Sequence, residues 1–400
     1  PLLTSVSERP AMNAYTRAAR ITDLEISEIV QLSEKAAALK AAGREVVALS
    51  TGEPDFPTPD HVIEAAHRAA LAGKTRYPAT LGTAELRAAI AAQNGVTPAE
   101  VMVSTGAKQV LANAMLASLN PGDEVIMPAP YWTSYSDIVL LAGGRSVVIP
   151  CPMADGFKLS PAALEAAITP RTRWLMLNSP SNPSGAIYSP DEIRALAAVL
   201  SRHPQVWVLS DEIYAHLNYL PFTPFRLAAP ELSDRLLTVD GVSKAYSMTG
   251  WRIGWGIGPG ALIGAMGAVQ GQVTSGACSI AQAAALAALT GDQSVLADRR
   301  LALRGRRDRV VAALAAMPGI DCPSPDGAFY VFPSIADAAT ATGHADDAGF
   351  CRWLLEDHGL ALVPGRAFGL PGHLRLSFAY SDDDLQNGLS RLAAALAGGR

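Results

Sequence analysis

Charge is scarce in this sequence, and so are the residues that usually mark metal or disulfide sites. Of 400 residues only 17% are Asp, Glu, Lys or Arg, and the formal net charge is −5. A mildly acidic chain lacks the broad positive surface that nucleic-acid binding needs. There are four cysteines, Cys151, Cys278, Cys322 and Cys351, none in a C-x-x-C pair, and the seven histidines show no metal-ligand spacing. Reduced cysteines in a cytoplasmic protein are therefore expected, rather than disulfides or a zinc site. No apolar run is long enough to cross a bilayer, so no membrane role is expected. The opening "PLLTSVSERPAMNAYTRAAR" lacks the basic, apolar and small-residue order of a signal peptide. Met12 is a candidate start, preceded by an added tail or an unusual extension. Repeats and low-complexity linkers are also missing.

What is abundant is apolar. Hydrophobic residues make up 49% of the chain, the composition of a well-packed globular protein. Its length suggests two or three domains. From Val46 to about Gly258, β-rich runs alternate with Ala/Leu-rich helical stretches. The runs are "VMVS" (101–104), "EVIMP" (124–128), "RSVVIP" (145–150), "RWLMLN" (173–178), "VWVLSD" (206–211) and "LLTVDG" (236–241). Several are apolar nearly throughout, as strands buried on both faces are. The alternation predicts an α/β fold with a mainly parallel sheet covered by helices. A helix over about Ile26–Ala42 precedes what reads as the first strand of that sheet. After Ser279 come long helix to about Met317, interrupted near "TGDQ", then "GAFYVFP", a helix around Phe350–Leu355 and "HLRLSFA". That order reads as a smaller α+β unit, against which the N-terminal helix packs.

Ligands of such sheets bind beyond the carboxyl ends of the strands, so the residues just after the runs matter most. After "VMVS", Gly106 and Ala107 open a helix, an anion-sized site that many α/β proteins share. After "RWLMLN", the turn "SPSNPSG" holds Asn182. After "VWVLS", Asp211 sits where a buried carboxylate needs a cation or donors, although a helix cap is an equal reading. Tyr214 follows three residues later. After "LLTVDGV" comes "SKAYSMTGWR". It places Lys244 and Arg252 close together in what reads as a loop of glycines and tryptophans. They are either solvated side chains or an amine nucleophile beside an anion-holding arginine. In "HLRLSFA", Arg375 alternates with apolar neighbours and calls for a carboxylate partner, structural or substrate.

Taken together, "GEPDFPTP", "RYPATLGTAELR", "STGAKQ", "PYWTSY", "NSPSNPSG", "SDEIY", "SKAYSMTGWRIGW", "GAFYVFP" and "LRLSFA" resemble the class I aminotransferases of fold type I. These are the pyridoxal-phosphate-dependent enzymes typified by aspartate aminotransferase. The likeness runs from about Ile21 to the C-terminus, in the family's order, and is strongest to the bacterial aspartate subgroup. It implies a large seven-stranded sheet domain (46–285) with helices on both faces, and a small α+β domain (1–45 and 286–400).

The resemblance also implies roles. Lys244 would hold pyridoxal 5′-phosphate as an imine and move the reacting proton. Ser243, Arg252 and the N–H groups of Gly106, Ala107 and Lys108 would bind its phosphate. Asp211 would pair with the protonated ring nitrogen. Tyr214 and Asn182 would hydrogen-bond the phenolic oxygen, and Trp132 would stack on the ring. Arg375, helped by Gly52 and Asn182, would clamp the substrate carboxylate. Tyr77 would reach the phosphate of a partner subunit, implying a cytoplasmic homodimer with shared sites. No metal is implied.

Lys108 matches the residue that faces the distal carboxylate in aspartate-using relatives, which favours aspartate and glutamate with their 2-oxo acids, exchanged by a ping-pong mechanism. Relatives that use prephenate carry an extra lysine near the N-terminus, where "ITDLEIS" has Glu25, which argues against prephenate. Aromatic amino acids remain an alternative, and a C–S or β-lyase would share the cofactor residues. A transcription regulator on this fold would need an N-terminal DNA-binding domain, for which this sequence leaves no room.

Overall fold

The computed structural model describes residues 16–24 and 26–398. Met12 and Glu25 lie outside them. Strands run in the order β1 (Val47–Ala48), β2 (Val101–Thr105), β3 (Glu124–Ala129), β4 (Arg145–Pro150), β5 (Thr172–Asn178), β6 (Trp207–Asp211), β7 (Leu236–Gly241), β8 (Ile253–Ile257), β9 (Tyr330–Val331), β10 (Leu360–Ala361), β11 (Val363–Pro364) and β12 (Leu374–Ser377). Seven of them form one sheet, ordered β2-β8-β7-β6-β5-β3-β4. All neighbours are parallel except β8, which runs antiparallel to both β2 and β7.

Side-chain alternation along these strands explains why both faces are covered. Met102, Trp174, Met176, Leu209 and Leu237 bury one face under the helices Ala107–Ser118 and Gly260–Val273. Leu175, Leu177, Val208 and Leu236 bury the other under Pro190–Leu200. That helix starts where its sequence says it should. Ser189 accepts from Glu192 N, the Glu192 carboxylate accepts from Ser189 N, and Pro190 takes the first position.

Two expectations change. The segment "IGWGI", read as loop, is strand β8. Glycine at every second position hides it from a propensity reading, but the packing requires it. A Cβ on Gly254 would sit 2.7 Å from Ala107 Cα, and one on Gly256 would sit 2.8 Å from Val110 Cγ1. The helix after β2 can lie on β8 only because that face has no side chains. Ile253, Trp255 and Ile257 point the opposite way, into a separate cluster with Ala281, Ala284, Ala285 and Ala288.

The second change concerns the run at Val46, which does not begin the large sheet. Val47–Ala48 pairs in parallel with Leu360–Ala361, and the large sheet's first strand in sequence is β2. The helix before it, Glu28–Ala41, is as expected, and its Leu32, Ala36 and Leu39 pack with Leu355 and Ala361. A second, three-stranded sheet, β11-β12-β9, holds Arg375 on its middle strand.

Gly254→Ala should lower the denaturation midpoint by the equivalent of about 1–3 kcal/mol, because backbone rather than a flexible side chain blocks the new methyl. Gly264→Ala, in a helix with nothing within 4 Å, should be neutral or stabilising. Equal effects in urea titrations of the two variants would contradict this account of β8.

Candidate active site

The strand directions decide which residues meet. Parallel strands deliver the residues after β2, β3, β5, β6 and β7 to one edge. The reversed β8 delivers the residue before it. Arg252, immediately before β8, therefore returns to the same edge as Lys244, just after β7. Around a cavity of about 290 Å³ stand Gly52, Ala107, Lys108, Trp132, Asn182 and Asp211, joined by Tyr214, Ser243, Lys244, Arg252 and Arg375. Gly106 closes that wall from behind. A Cβ there would lie 2.6 Å from Arg252 Nη2. Tyr77 is the exception. It is 93% exposed and does not line the cavity of its own chain.

Lys244 Nζ donates to the Gly52 carbonyl at 2.6 Å. Burial, reinforced by the Arg375 and Arg252 charges, pushes the amine down to about 8 against the pull of Glu53 and Asp211. Arg252 adopts a left-handed backbone, φ 55°, and its Nη1 donates to the Thr249 carbonyl at 2.9 Å. A non-glycine residue held in that region is a common mark of a constrained functional loop. The helix Ala107–Ser118 has no side-chain cap at its start, leaving its N-terminus to face the cavity beside Arg252.

Asp211 is 4% exposed. One carboxylate oxygen accepts from the Tyr135 hydroxyl at 2.6 Å and the other from Ile213 N at 3.2 Å. Burial outweighs these bonds and the Lys244 charge, and pushes the carboxyl up to about 6. Next to it, Asn178 donates to the Asp211 carbonyl and accepts from Asn182 N, which fixes the turn that carries Asn182.

Arg375 is 2% exposed, and no carboxylate reaches it among the described residues. Its Nη1 donates to Asn182 Oδ1 at 3.0 Å, its Nη2 to the Ser50 carbonyl, and its buried Nε has no partner. A buried guanidinium with donors left over is complementary to an anion arriving from outside. Lys108 lines the same cavity, its ammonium 4.8 Å from the centre of the Trp132 ring. Burial first, then the Arg252 charge, lowers its pKa, while Asp137 opposes them.

Residues 50–58 lace the parts together. The Ser50 and Gly52 carbonyls take Arg375 and Lys244, Glu53 takes the Thr249 hydroxyl, and Thr58 donates to the Ser247 carbonyl at 2.8 Å.

Six further residues line this cavity, Asn178, Ile213 and Thr249 among them, and the other three are informative additions to the expected set. Tyr135 closes the "PYWTSY" stretch three positions after Trp132, a helical spacing that could have revealed it. Tyr330 lies in "GAFYVFP" and reaches Tyr214, with 2.9 Å between their hydroxyls. Its role carries no sequence signal, because the contact spans 116 positions of chain. Ile29 comes from the N-terminal helix.

Chemically, the site offers a depressed amine, an anion pocket made of Arg252 and a helix start, a buried carboxylate and a second unsatisfied cation. Pyridoxal phosphate fits this set, because each of its polar groups has a complement here.

A mainly parallel sheet with a lysine so placed defines a fold-type I pyridoxal-phosphate enzyme. The family described as aminotransferase class I and II matches residues 44–392, so the chain belongs to that family and is a transaminase dependent on pyridoxal phosphate. A Cereibacter sphaeroides protein named aspartate/prephenate aminotransferase is 53% identical over 386 residues, covering 93% of this chain and 96% of its own. One from Rhizobium meliloti named aspartate aminotransferase is 51% identical over 395 residues, covering 95% and 96%. The crystal structure of a Rhizobium meliloti aspartate aminotransferase superposes with TM-score 0.92 at 49% identity, covering 96% of this chain and 99% of that one. A Thermus thermophilus aspartate aminotransferase with maleate gives 0.90 at 41%, covering 95% and 100%.

The charged Asp211 carries a stability cost with a definite pH dependence. Its folded pKa of about 6 lies above the usual 3.8, so the folded form binds the proton more tightly. That stabilisation is complete below the usual value and is lost as pH rises through about 6, a loss of about 3 kcal/mol. Asp211→Asn should therefore raise the melting temperature of cofactor-free protein at pH 7.5, and the gain should fade by pH 4.5. A gain independent of pH would contradict this origin.

Proposed function

We propose that this transaminase moves the amino group between L-aspartate or L-glutamate and the corresponding 2-oxo acids, oxaloacetate and 2-oxoglutarate, by a ping-pong mechanism. The observation that carries the reading is Arg375, a buried guanidinium with no carboxylate partner among the described residues, lining the same cavity as Lys108. Two cations on one cavity suit a dicarboxylate. The curated relatives with aspartate in their names support the same substrate.

In this reading Lys244 is the covalent attachment point for the cofactor and afterwards carries the proton removed from the substrate α-carbon. Its lowered pKa suits that task. Asp211 would pair with the ring nitrogen and keep it protonated. Tyr135, bonded to Asp211, fixes the carboxylate's orientation. Pyridoxal phosphate supplies an electron sink for the charge left when the Cα–H bond breaks. Tyr214 and Asn182 would donate to the phenolic oxygen, and Trp132 would cover the ring. Ser243, Arg252 and the N–H groups of Gly106, Ala107 and Lys108 hold the phosphate. Arg375, with Asn182 and the backbone of Gly52, holds the α-carboxylate, and Lys108 holds the distal one.

The same reading makes the protein a homodimer, because Tyr77 is 93% exposed and needs a partner's phosphate to be useful, and its four free cysteines suit a cytoplasmic location. It divides each chain into a large cofactor-binding domain and a small one. The boundary expected at 46 lies better near residue 50, since β1 pairs with β10. The one expected at 285 lies better near 290, since helix Ser279–Thr290 buries Ala288 and Leu289 with the large sheet. Relatives divide between aspartate and aspartate/prephenate names, so prephenate is the acceptor to compare with 2-oxoglutarate.

A screen of amino donors against oxaloacetate, 2-oxoglutarate and prephenate tests the substrate. Lys244→Ala should abolish turnover and remove the borohydride-reducible adduct. Arg375→Lys should weaken all donors alike, because the planar fork is lost. Lys108→Ala should raise KM for aspartate and glutamate about tenfold or more, with little change for phenylalanine. Equal losses for acidic and aromatic donors would remove Lys108 from substrate recognition.

Mixing Lys244→Ala with Tyr77→Arg tests the shared site. After random and equal exchange, half of the dimers are mixed and each has one intact site, so about a quarter of wild-type activity should return. No recovery despite demonstrated exchange, or full activity in an isolated monomer, would rule it out.

A further inference from the structure

Tyr330 is fully buried and touches two functional parts of the cavity at once. It stands opposite Ser377 in the β9–β12 pair, so Arg375 is its diagonal neighbour on the same face. The Arg375 guanidinium carbon accordingly lies 4.6 Å from the centre of the Tyr330 ring. On the other side, the Tyr330 hydroxyl is 2.9 Å from the Tyr214 hydroxyl, with the two rings at 82°. That hydroxyl has no other hydrogen-bond partner among the described residues. Gly52 leaves room for it, because a Cβ at that position would overlap the Tyr330 oxygen.

We propose that Tyr330 is a positioning residue that couples the Arg375 carboxylate clamp to Tyr214, its ring supporting the guanidinium and its hydroxyl directing the Tyr214 proton. The inference rests on the roles proposed above for Arg375 and Tyr214. A tyrosine hydroxyl has one proton to donate and can also accept. If Tyr214 donates to the cofactor's phenolic oxygen, the bond between the two tyrosines must run from Tyr330 to Tyr214. Burial raises the pKa of both, so both keep their protons at neutral pH. A bond donated into the Tyr214 oxygen polarises that hydroxyl and strengthens its own donation. The ring acts separately, since a cation over an aromatic face is stabilised without any hydroxyl.

The experiment uses wild type, Tyr330→Phe, Tyr214→Phe, the double variant and Tyr330→Leu, each reconstituted with pyridoxal phosphate. The first readout is the pH midpoint of the bound cofactor's absorbance change. A donor to the phenolic oxygen favours the form with more negative charge there, which is the deprotonated form. Tyr214→Phe should raise the midpoint. Tyr330→Phe should raise it by a smaller amount, several tenths of a pH unit. The double variant should match Tyr214→Phe alone, because Tyr330 acts only through Tyr214. The second readout is the dissociation constant of maleate, a non-reacting dicarboxylate. Tyr330→Phe keeps the ring and should stay within about threefold of wild type, while Tyr330→Leu should bind about fivefold more weakly or worse.

A midpoint unmoved by Tyr330→Phe, shifts that add in the double variant, or equal maleate affinity in Phe and Leu variants would overturn the coupling. A wild-type protein whose borohydride adduct maps to a lysine other than Lys244 would overturn the functional reading itself, and the coupling with it.

Discussion

The reversed strand β8 is the constraint on which the site depends. In an all-parallel sheet, the residue preceding a strand lies at the far edge from the residue following its neighbour. Because β8 runs against β7, Lys244 and Arg252 come to one edge although eight positions separate them. The helix Ala107–Ser118 packs directly on β8, and that packing needs glycine at 254 and 256. The same helix begins at Ala107, so the strand that places Arg252 also seats the helix start beside it.

A site built this way works against the fold around it. Among the described residues Arg375 has no carboxylate partner, Lys244 is buried with its charge destabilised, and Asp211 is a carboxylate that burial pushes toward neutrality. Each would be cheaper as an apolar residue. The apolar packing on both faces of the sheet carries these charges. The complementary groups of cofactor and substrate then find partners already oriented.

Much of this was legible in the residues. Six of the seven strands of the large sheet are visible as β-rich runs: five are apolar and almost wholly buried, while the edge strand β4, with no buried residue, shows through Val147, Val148 and Ile149. Asp211, Lys244 and Asn182 were visible because each follows such a run. β8 was not, since its glycines answer to a neighbouring helix rather than to strand propensity. Nor was the pairing of Val47–Ala48 with Leu360–Ala361, which joins segments more than 300 positions apart. Tyr135 and Tyr330 lie inside "PYWTSY" and "GAFYVFP", but nothing in those segments alone assigns them a task. Their partners, Asp211 and Tyr214, are known only once the chain is folded.

Gly52 shows how tightly such a site restricts its own variation. Its carbonyl holds the Lys244 ammonium, and its missing side chain makes room for the Tyr330 hydroxyl. Two residues earlier, the Ser50 carbonyl holds Arg375. Substrate redesign usually starts by enlarging or shrinking a residue at the cavity wall. At position 52 that freedom does not exist, because any side chain would displace a tyrosine and unsettle a lysine in the same step. An engineer seeking a new specificity would do better on the Lys108 and Trp132 side, where the wall is made of side chains rather than backbone.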